Sequence, residues 1–490
     1  MTFSANSQAS TSLGSQSPII NKILLSDLPG LVNLKTPSID LSLLHQLNPS
    51  RYPFLLESVA KGGLGEFDIL MAYPQETIQL TNPADAENFI NQAQAQFSQI
   101  NPDIQNRENL PFIGGWFAYF SYDYAQVVEP VLQLPKSQFP LANLTRIPAG
   151  LVFEHSSQNL YLVAEPEFEH CLAEIESDLI NALALNNDVL AVKVNSDHEE
   201  PEQKYLSGVE AIKEYILAGD VFQVNLSRQW QVELEKNTSY LDVYRALRKS
   251  NPAPFAALAH FETGSQQSNL DNQAWQIISS SPERLVKYQK PWVETRPIAG
   301  TRKRGENAQA DKALVTELIE HPKERAEHIM LIDLERNDLG RICQPGTVEV
   351  NELMVVETYE HVHHIVSNVR GQLQEGLSPL DIVHALFPGG TITGCPKIRC
   401  MQIVAELEQM PREAYTGSLG YINIDGSLDL NILIRTMIQF EQNGNPIVQF
   451  RAGAGIVADS EAQSELTETR HKAKGLVKAL ETPIETVGSC

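Results

Sequence analysis

GYINIDGSLDLNILIRTMIQF, residues 420–440, constrains the fold more than any other stretch. It sets Asp425-Gly426 between two runs that alternate apolar and polar residues. Asp-Gly suits a two-residue hairpin turn, whose central positions need positive φ. Asn443-Gly444 repeats the device just before IVQFRAGAGIV. Two hairpins in close succession commit this region to antiparallel sheet. GLVFEHSSQNLYLVAEP (150–166) reads as a further hairpin across Ser156–Asn159, and VFQVNLSRQWQVEL (221–234) alternates as a strand does. Helical spacing appears in FEHCLAEIESDLINALAL (168–185), in EQKYLSGVEAIKEYILAGD (202–220, closed by Gly219) and in SEAQSELTETRHKAKGLVKALE (460–481). The expected class is α+β: antiparallel sheets with helices outside them.

The chain has 490 residues, enough for two or three domains or one large composite. The polar, acidic, Pro-containing NSDHEEPEQK (195–204) is the best candidate boundary. It separates an N-terminal region, 19–195, from a C-terminal region, 204–482. Residues 1–18 read as a disordered Ser/Gln/Ala tail. They lack the basic start and apolar core of a signal peptide, and no run reaches membrane-spanning length. A net charge of −24 argues against general affinity for nucleic acid or anionic membranes. Five scattered cysteines fit a reducing, cytoplasmic setting and not a disulfide framework. Any anionic ligand must be held locally. One place to look is TRPIAGTRKRG (295–305), where Arg296, Arg302, Lys303 and Arg304 surround an Ile-Ala-Gly-Thr turn.

Chemistry concentrates in a few segments. HPKERAEHIMLIDLERNDLG (321–340) opens with Pro322, suited to a first helical turn, and places Glu324 and Glu327 on one face. The apolar run Ile329–Ile332 that follows is expected to be buried. The last helix repeats the pattern with Glu465 and Glu468, and Lys472 stands one turn further on. Two such pairs on separate helices could share one Mg2+. E-x-x-E is commonplace, however, and Glu468 and Lys472 also have the spacing of an ordinary exposed ion pair. RAGAGIVADS (451–460) is either a tight strand-to-helix connection or a loop whose glycines let backbone N–H groups approach a carboxylate. FPGGTITGCPK (387–397) offers the hydroxyls of Thr391 and Thr393 and the cation Lys397. His364, in EHVHHIVS, is a base or a hydrogen-bonded core residue. Tyr415 and Arg435 default to a core aromatic and a strand-face cation.

The fixed order of PIAGT, KERAEH, HHIVS, FPGGTITGCPK, LNILIRT, AGAGIVADS and SELTETRHKA closely resembles that of the chorismate-utilising enzymes. This family includes component I of anthranilate synthase and of aminodeoxychorismate synthase, and the isochorismate and salicylate synthases. The resemblance covers about residues 205–480. FLLESV (54–59) and LPFIGGWFAYFSYDY (110–124) extend it into the N-terminal region. It implies an antiparallel β-sandwich wrapped by helices, with chorismate, a dianion, bound in a cleft. Carried over by residue, Gly300 and Thr301 would touch substrate. Tyr415, Arg435, Gly453, Ala454, Gly455 and Lys472 would hold its carboxylates. Glu327 and Glu468 would ligate Mg2+, Glu324 and Glu465 would assist proton transfer, and Thr391 would supply a hydroxyl. His364 would help the 4-hydroxyl leave.

Members that add water carry a Lys where this chain has Gln223, which implies ammonia as the nucleophile here. Ammonia enzymes of the family draw it from a glutamine amidotransferase subunit, which this chain does not contain. FQVNLS, NPAPF (251–255) and FPGGTITGCPK resemble aminodeoxychorismate synthase component I, the enzyme that starts para-aminobenzoate and folate synthesis. Ala299 pulls the other way, toward anthranilate synthase, because many aminodeoxychorismate synthases carry a nucleophilic Lys there. Ser58, Pro254, Phe255 and Ala256 mark a candidate regulatory pocket. The small Ala256, where a Met is common, argues against tryptophan feedback.

Overall fold

A computed structural model describes residues 17–25, 39–60, 66–185, 190–262, 274–359 and 362–481. Most of the expected N-terminal tail, and Cys490, lie outside the described residues. Two antiparallel sheets, of twelve and ten strands, dominate the fold. The Asp425-Gly426 turn joins Ser418–Asn423 to Leu428–Asn431, and Asn443-Gly444 joins Thr436–Gln442 to Asn445–Ile456. Asn443 and Gly444 both have positive φ, as the two-residue turn requires, whereas at Asp425-Gly426 only the glycine does, because the connection there is longer, residues 424–427. The Ser156–Asn159 hairpin also forms, between Ala149–Glu154 and Asn159–Ala164.

Both sheets draw on both halves of the chain. In the larger sheet Phe54–Glu57 pairs with Phe255–Phe261, and in the smaller Gly115–Phe120 pairs with Ser418–Asn423. The acidic segment near residue 200 forms the exposed edge strand Val194–Glu199, laid on Gln223–Leu234. Pro201 then caps the helix Glu202–Leu217, and Gly219 follows with φ +84°.

One apolar core fills the space between the sheets, rich in aromatics. Phe54 of the larger sheet stacks on Phe117 of the smaller, with ring centroids 3.7 Å apart. A second apolar layer lies outside the larger sheet, under the helices Ser42–Leu47, Cys171–Ala182, Tyr240–Ser250 and Ala462–Leu480. The last helix docks through Leu466, Ala473, Leu476 and Leu480, and each fully buried Leu contributes about 1.5–3 kcal/mol. The helix Pro322–Gly340 departs from expectation at one point. Leu331 and Ile332 are buried, but Ile329 is 51% exposed, because helical rotation turns it away from them.

The chain crosses between sheets at two places that matter below. It leaves Trp275–Ser281 of the larger sheet and enters Arg284–Gln289 of the smaller. It returns between Leu428–Asn431 and Thr436–Gln442. The crossings bond to each other: Ile432 N–H donates to the Glu283 carbonyl at 3.0 Å, and Ser280 N–H to the Arg435 carbonyl at 3.1 Å.

Candidate active site

The glycine-rich end of Asn445–Ile456 runs antiparallel to the start of Gln223–Leu234, with Gly455 opposite Asn225 and Gly453 opposite Ser227. Side chains alternate along each strand. Val224, Leu226, Ala454 and Ile456 therefore turn into an apolar cluster with Leu466, and the Ala454 methyl points there. Gln223, Asn225, Gly453 and Gly455 share the other face. A Cβ on Gly453 would stand 2.8 Å from both the Tyr415 hydroxyl and Asn225 Oδ1, and a Cβ on Gly455 would collide with Gln223 Nε2. These glycines keep open a notch walled by two amides and a phenol. Gln223 Oε1 and Asn225 Oδ1 are both buried there without a partner. Burial pushes the Tyr415 phenol up to about 12, so it stays a hydrogen-bond donor.

Gln223 Nε2 donates to Glu327 Oε1 at 3.0 Å, which joins the strand to the helix Pro322–Gly340. One turn back, Glu324 accepts from Arg302 at 3.1 Å. Gly300, at φ +71°, sits against Glu324: a Cβ there would lie 2.7 Å from its Oε2. Thr301 Oγ1 and His364 Nδ1 are 2.8 Å apart. Burial, with Arg435 assisting, lowers His364 to about 4, so its imidazole is neutral near pH 7. A neutral ring positions the Thr301 hydroxyl well and is a poor acid.

A further buried titratable group, a carboxyl, was not picked out by sequence reasoning. Glu283 is buried in the first crossing between sheets, within the polar run SSSPE. Burial pushes it up to about 7, against the opposing pull of Thr391, the Ile298 N–H, Lys472 and Arg435. Its Oε1 and Thr391 Oγ1 are both buried without a hydrogen-bond partner. They are near enough to interact but beyond bonding length. Arg435, in the second crossing at φ +52°, is itself pulled down by burial, with Glu283 as the acid acting on it. Among the described residues no carboxylate pairs with Arg435 at ion-pair distance. A buried, uncompensated guanidinium is suited to a carboxylate ligand.

Glu468 makes the ion pair its spacing allowed, 2.8 Å from Lys472, and is 49% exposed. Glu465 lies one turn back on the same helix. Burial, then the charges of Glu465 and Glu468, hold the Tyr205 phenol far above its usual range, which places all three close together. Among the described residues no group of three or more His, Cys, Asp or Glu could hold a metal. The helix Pro322–Gly340 carries Glu324 and Glu327 and the last helix Glu465 and Glu468, and carboxylate oxygens are the kind of donor that Mg2+ takes together with retained waters. The basic loop is not a free anion trap. Arg296 pairs with Glu352 and Glu357, Arg302 with Glu317 and Glu324, and Arg304 with Asp311.

Ser58, Pro254, Phe255 and Ala256 do come together, in a cavity of about 350 Å3 between the sheets. The Ser58 hydroxyl donates to the Pro254 carbonyl at 3.1 Å. Arg284 lies 5.1 Å over the Phe255 ring and makes two bonds to Asp429. Arg284, which lines this cavity, directly follows Glu283 in the chain.

Residues 51–478 match the model of the family described as chorismate binding enzyme, and the chain belongs to that family. Its relatives divide between two products. It is 41% identical over 387 residues to aminodeoxychorismate synthase component 1 of Bacillus subtilis, covering 77% of this chain and 79% of that one. It is 40% identical over 422 residues to an anthranilate synthase component I-like protein of Synechocystis, covering 85% and 83%. Anthranilate synthase component 1 of the same organism is 37% identical over 477 residues, covering 88% and 91%. The crystal structure of anthranilate synthase component I from Streptococcus pneumoniae superposes with a TM-score of 0.70 at 29% identity, covering 93% of this chain and 98% of that one. No helix among the described residues is long and apolar enough to cross a membrane.

Proposed function

We propose that this chain aminates chorismate, as component I of an aminodeoxychorismate synthase, with ammonia supplied by a glutamine amidotransferase subunit. The observation that carries amination is Gln223. A water nucleophile needs a base to take its proton, and the amide of Gln223 is no base. Its unpartnered Oε1 is an acceptor suited to an N–H of ammonia, which attacks without deprotonation.

In this reading Arg435 and the Tyr415 hydroxyl hold substrate carboxylates, and the glycines 453 and 455 let the ring approach the strand. Glu327 and Glu468 would hold Mg2+, which when bound offsets the substrate's negative charge. Glu283, which burial lets keep its proton up to about pH 7, gives that proton to the departing ring hydroxyl. The C–O bond breaks, a C–N bond forms to ammonia, water leaves, and the added nitrogen sheds one proton. Thr391 and Lys472 steady the Glu283 carboxylate that results. Ala299 offers no nucleophile of its own, so ammonia must reach the ring directly or after another small nucleophile.

Ala299 also favours the second reading, in which the product is anthranilate and pyruvate leaves. Incubation with chorismate, Mg2+ and ammonium salt separates them. The first reading predicts 4-aminobenzoate only after a pyruvate-releasing lyase is added. Anthranilate fluorescence without the lyase would establish the second. Full turnover in excess EDTA would remove the metal from either.

A further inference from the structure

Glu335 is a buried carboxyl that the reaction above does not use. It lies on the helix Pro322–Gly340, beside Gly390 and near enough to Glu283 to feel its charge. A Cβ on Gly390 would stand 3.1 Å from Glu335 Oε1, and the next residue, Thr391, faces Glu283. Thr295 borders Glu335, and its Oγ1 is buried without a partner. Three buried oxygens without a hydrogen-bond partner thus border the two carboxyls: Glu283 Oε1 with Thr391 Oγ1 near it, and Thr295 Oγ1 near Glu335. Native proteins seldom leave such atoms unpaired, and hydroxyls and internal water are their usual partners. Beyond Glu335 the polar groups continue outward. Asp338, one turn along the helix, accepts from Lys397 Nζ at 2.6 Å and lies 3.8 Å from the exposed guanidinium of Arg341. Burial pushes Glu335 up to about 7, with the charge of Asp338 adding to the effect.

We propose that Glu335 resupplies the proton that Glu283 gives up in each turnover, through the Thr391 and Thr295 hydroxyls, and draws its own replacement from solvent past Asp338. The inference rests on Glu283 being the acid of the amination reaction. The chemistry balances as O–H transfers alone. Glu283 loses a proton to the leaving hydroxyl. The Glu335 carboxyl then passes one along the hydroxyls to the Glu283 carboxylate. Glu335 is reprotonated from bulk water, which also receives the proton shed by the new amine. Glu335 is thereby a positioning and proton-supply residue that never touches substrate.

A purely structural role would slow every turnover alike, whereas a supply role slows only those after the first. The test is rapid-quench kinetics on the full chain with chorismate, Mg2+ and excess ammonium near pH 6.5, where Glu283 starts protonated. Glu335→Gln should complete its first turnover within about twofold of the wild-type rate, then run at least tenfold slower, giving a burst near one product per site. Thr295→Val, which keeps the side-chain shape, should show the same burst with a milder slowing, and it serves if Glu335→Gln does not fold. Equal slowing of both phases, or none in either, overturns the proposal. Glu283→Gln is the control for the parent reading. It should be slow from the first turnover, and a wild-type first turnover in that variant would overturn the role of Glu283 whatever Glu335 does.

Discussion

Glu408 and Glu283 are both buried carboxyls, and they ionise in opposite directions. Glu408 ends the helix Lys397–Glu408, against the strand Gln223–Leu234. It accepts from Arg412 at 2.7 and 3.0 Å, from Arg451 at 3.0 Å, and from the Ser227 N–H and hydroxyl at 2.8 Å each. Burial alone would raise its pKa, yet the two guanidiniums hold it below the usual value. Glu283 faces two cations as well, but none at bonding distance, and burial wins. Equal burial therefore says little about a carboxyl's role. What separates the two is whether partners complete its hydrogen bonds. Glu408 pins strand to helix, and Glu283 keeps its proton.

The comparison is most sharply tested by removing Glu408. Glu408→Ala strands two buried guanidiniums, and such losses cost about 3–5 kcal/mol. Urea unfolding should show it, and a loss below about 1 kcal/mol would mean that the cluster is not structural. Next in size, Glu283→Gln should lower kcat by about 10²–10³-fold while leaving the unfolding midpoint unchanged or raised. A large fall in both would merge the two classes.

These predictions also mark what could be read from the sequence. Hairpins declare themselves through Asp-Gly and Asn-Gly, since turn chemistry is local. The last helix and its stripe are equally plain. Glu324, Glu327, Glu465 and Glu468 stand out by spacing. Glu283 did not, because nothing in SSSPE says that the chain crosses between sheets there and buries the carboxyl. The paired state of Arg296, Arg302 and Arg304 was hidden for the same reason: four of the five acids that hold them are not their neighbours in sequence, and Asp311 reaches Arg304 only because a helix starts between them. Ile329–Ile332 looked uniformly apolar, and only the helix's orientation divides it.

The two carboxyls should also differ in pH response. Glu283 binds its proton more tightly folded than unfolded, so its contribution to stability is present below about 4.5 and is lost as pH rises toward 7. Glu408, with its pKa lowered, contributes above its unfolded value and loses that contribution as pH falls. Comparing wild type with Glu283→Gln between pH 4.5 and 7 should reveal a difference on the order of 3 kcal/mol. Parallel curves would remove the assigned cause. At constant free ammonia, kcat/KM should fall above about pH 7 as Glu283 ionises in the free enzyme.

The smallest expected effect belongs to the exposed pair. Glu468→Gln should change stability by only about 0.3–0.5 kcal/mol, the worth of such a pair on a helix. If Glu468 also holds Mg2+, the same variant should need far more of the metal for half-maximal activity. An unchanged Mg2+ requirement would leave Glu468 with the ion pair alone.

The placement of Asn445–Ile456 has a consequence for assembly. This strand sits mid-sheet, between Thr436–Gln442 and Gln223–Leu234. One partner is its hairpin neighbour, but the other register joins Val224 to Ile456, across a very long loop. Pairing between such distant segments is slow to form, so the hairpin can assemble by itself while the strand that carries Gln223 must wait for the intervening chain to collapse.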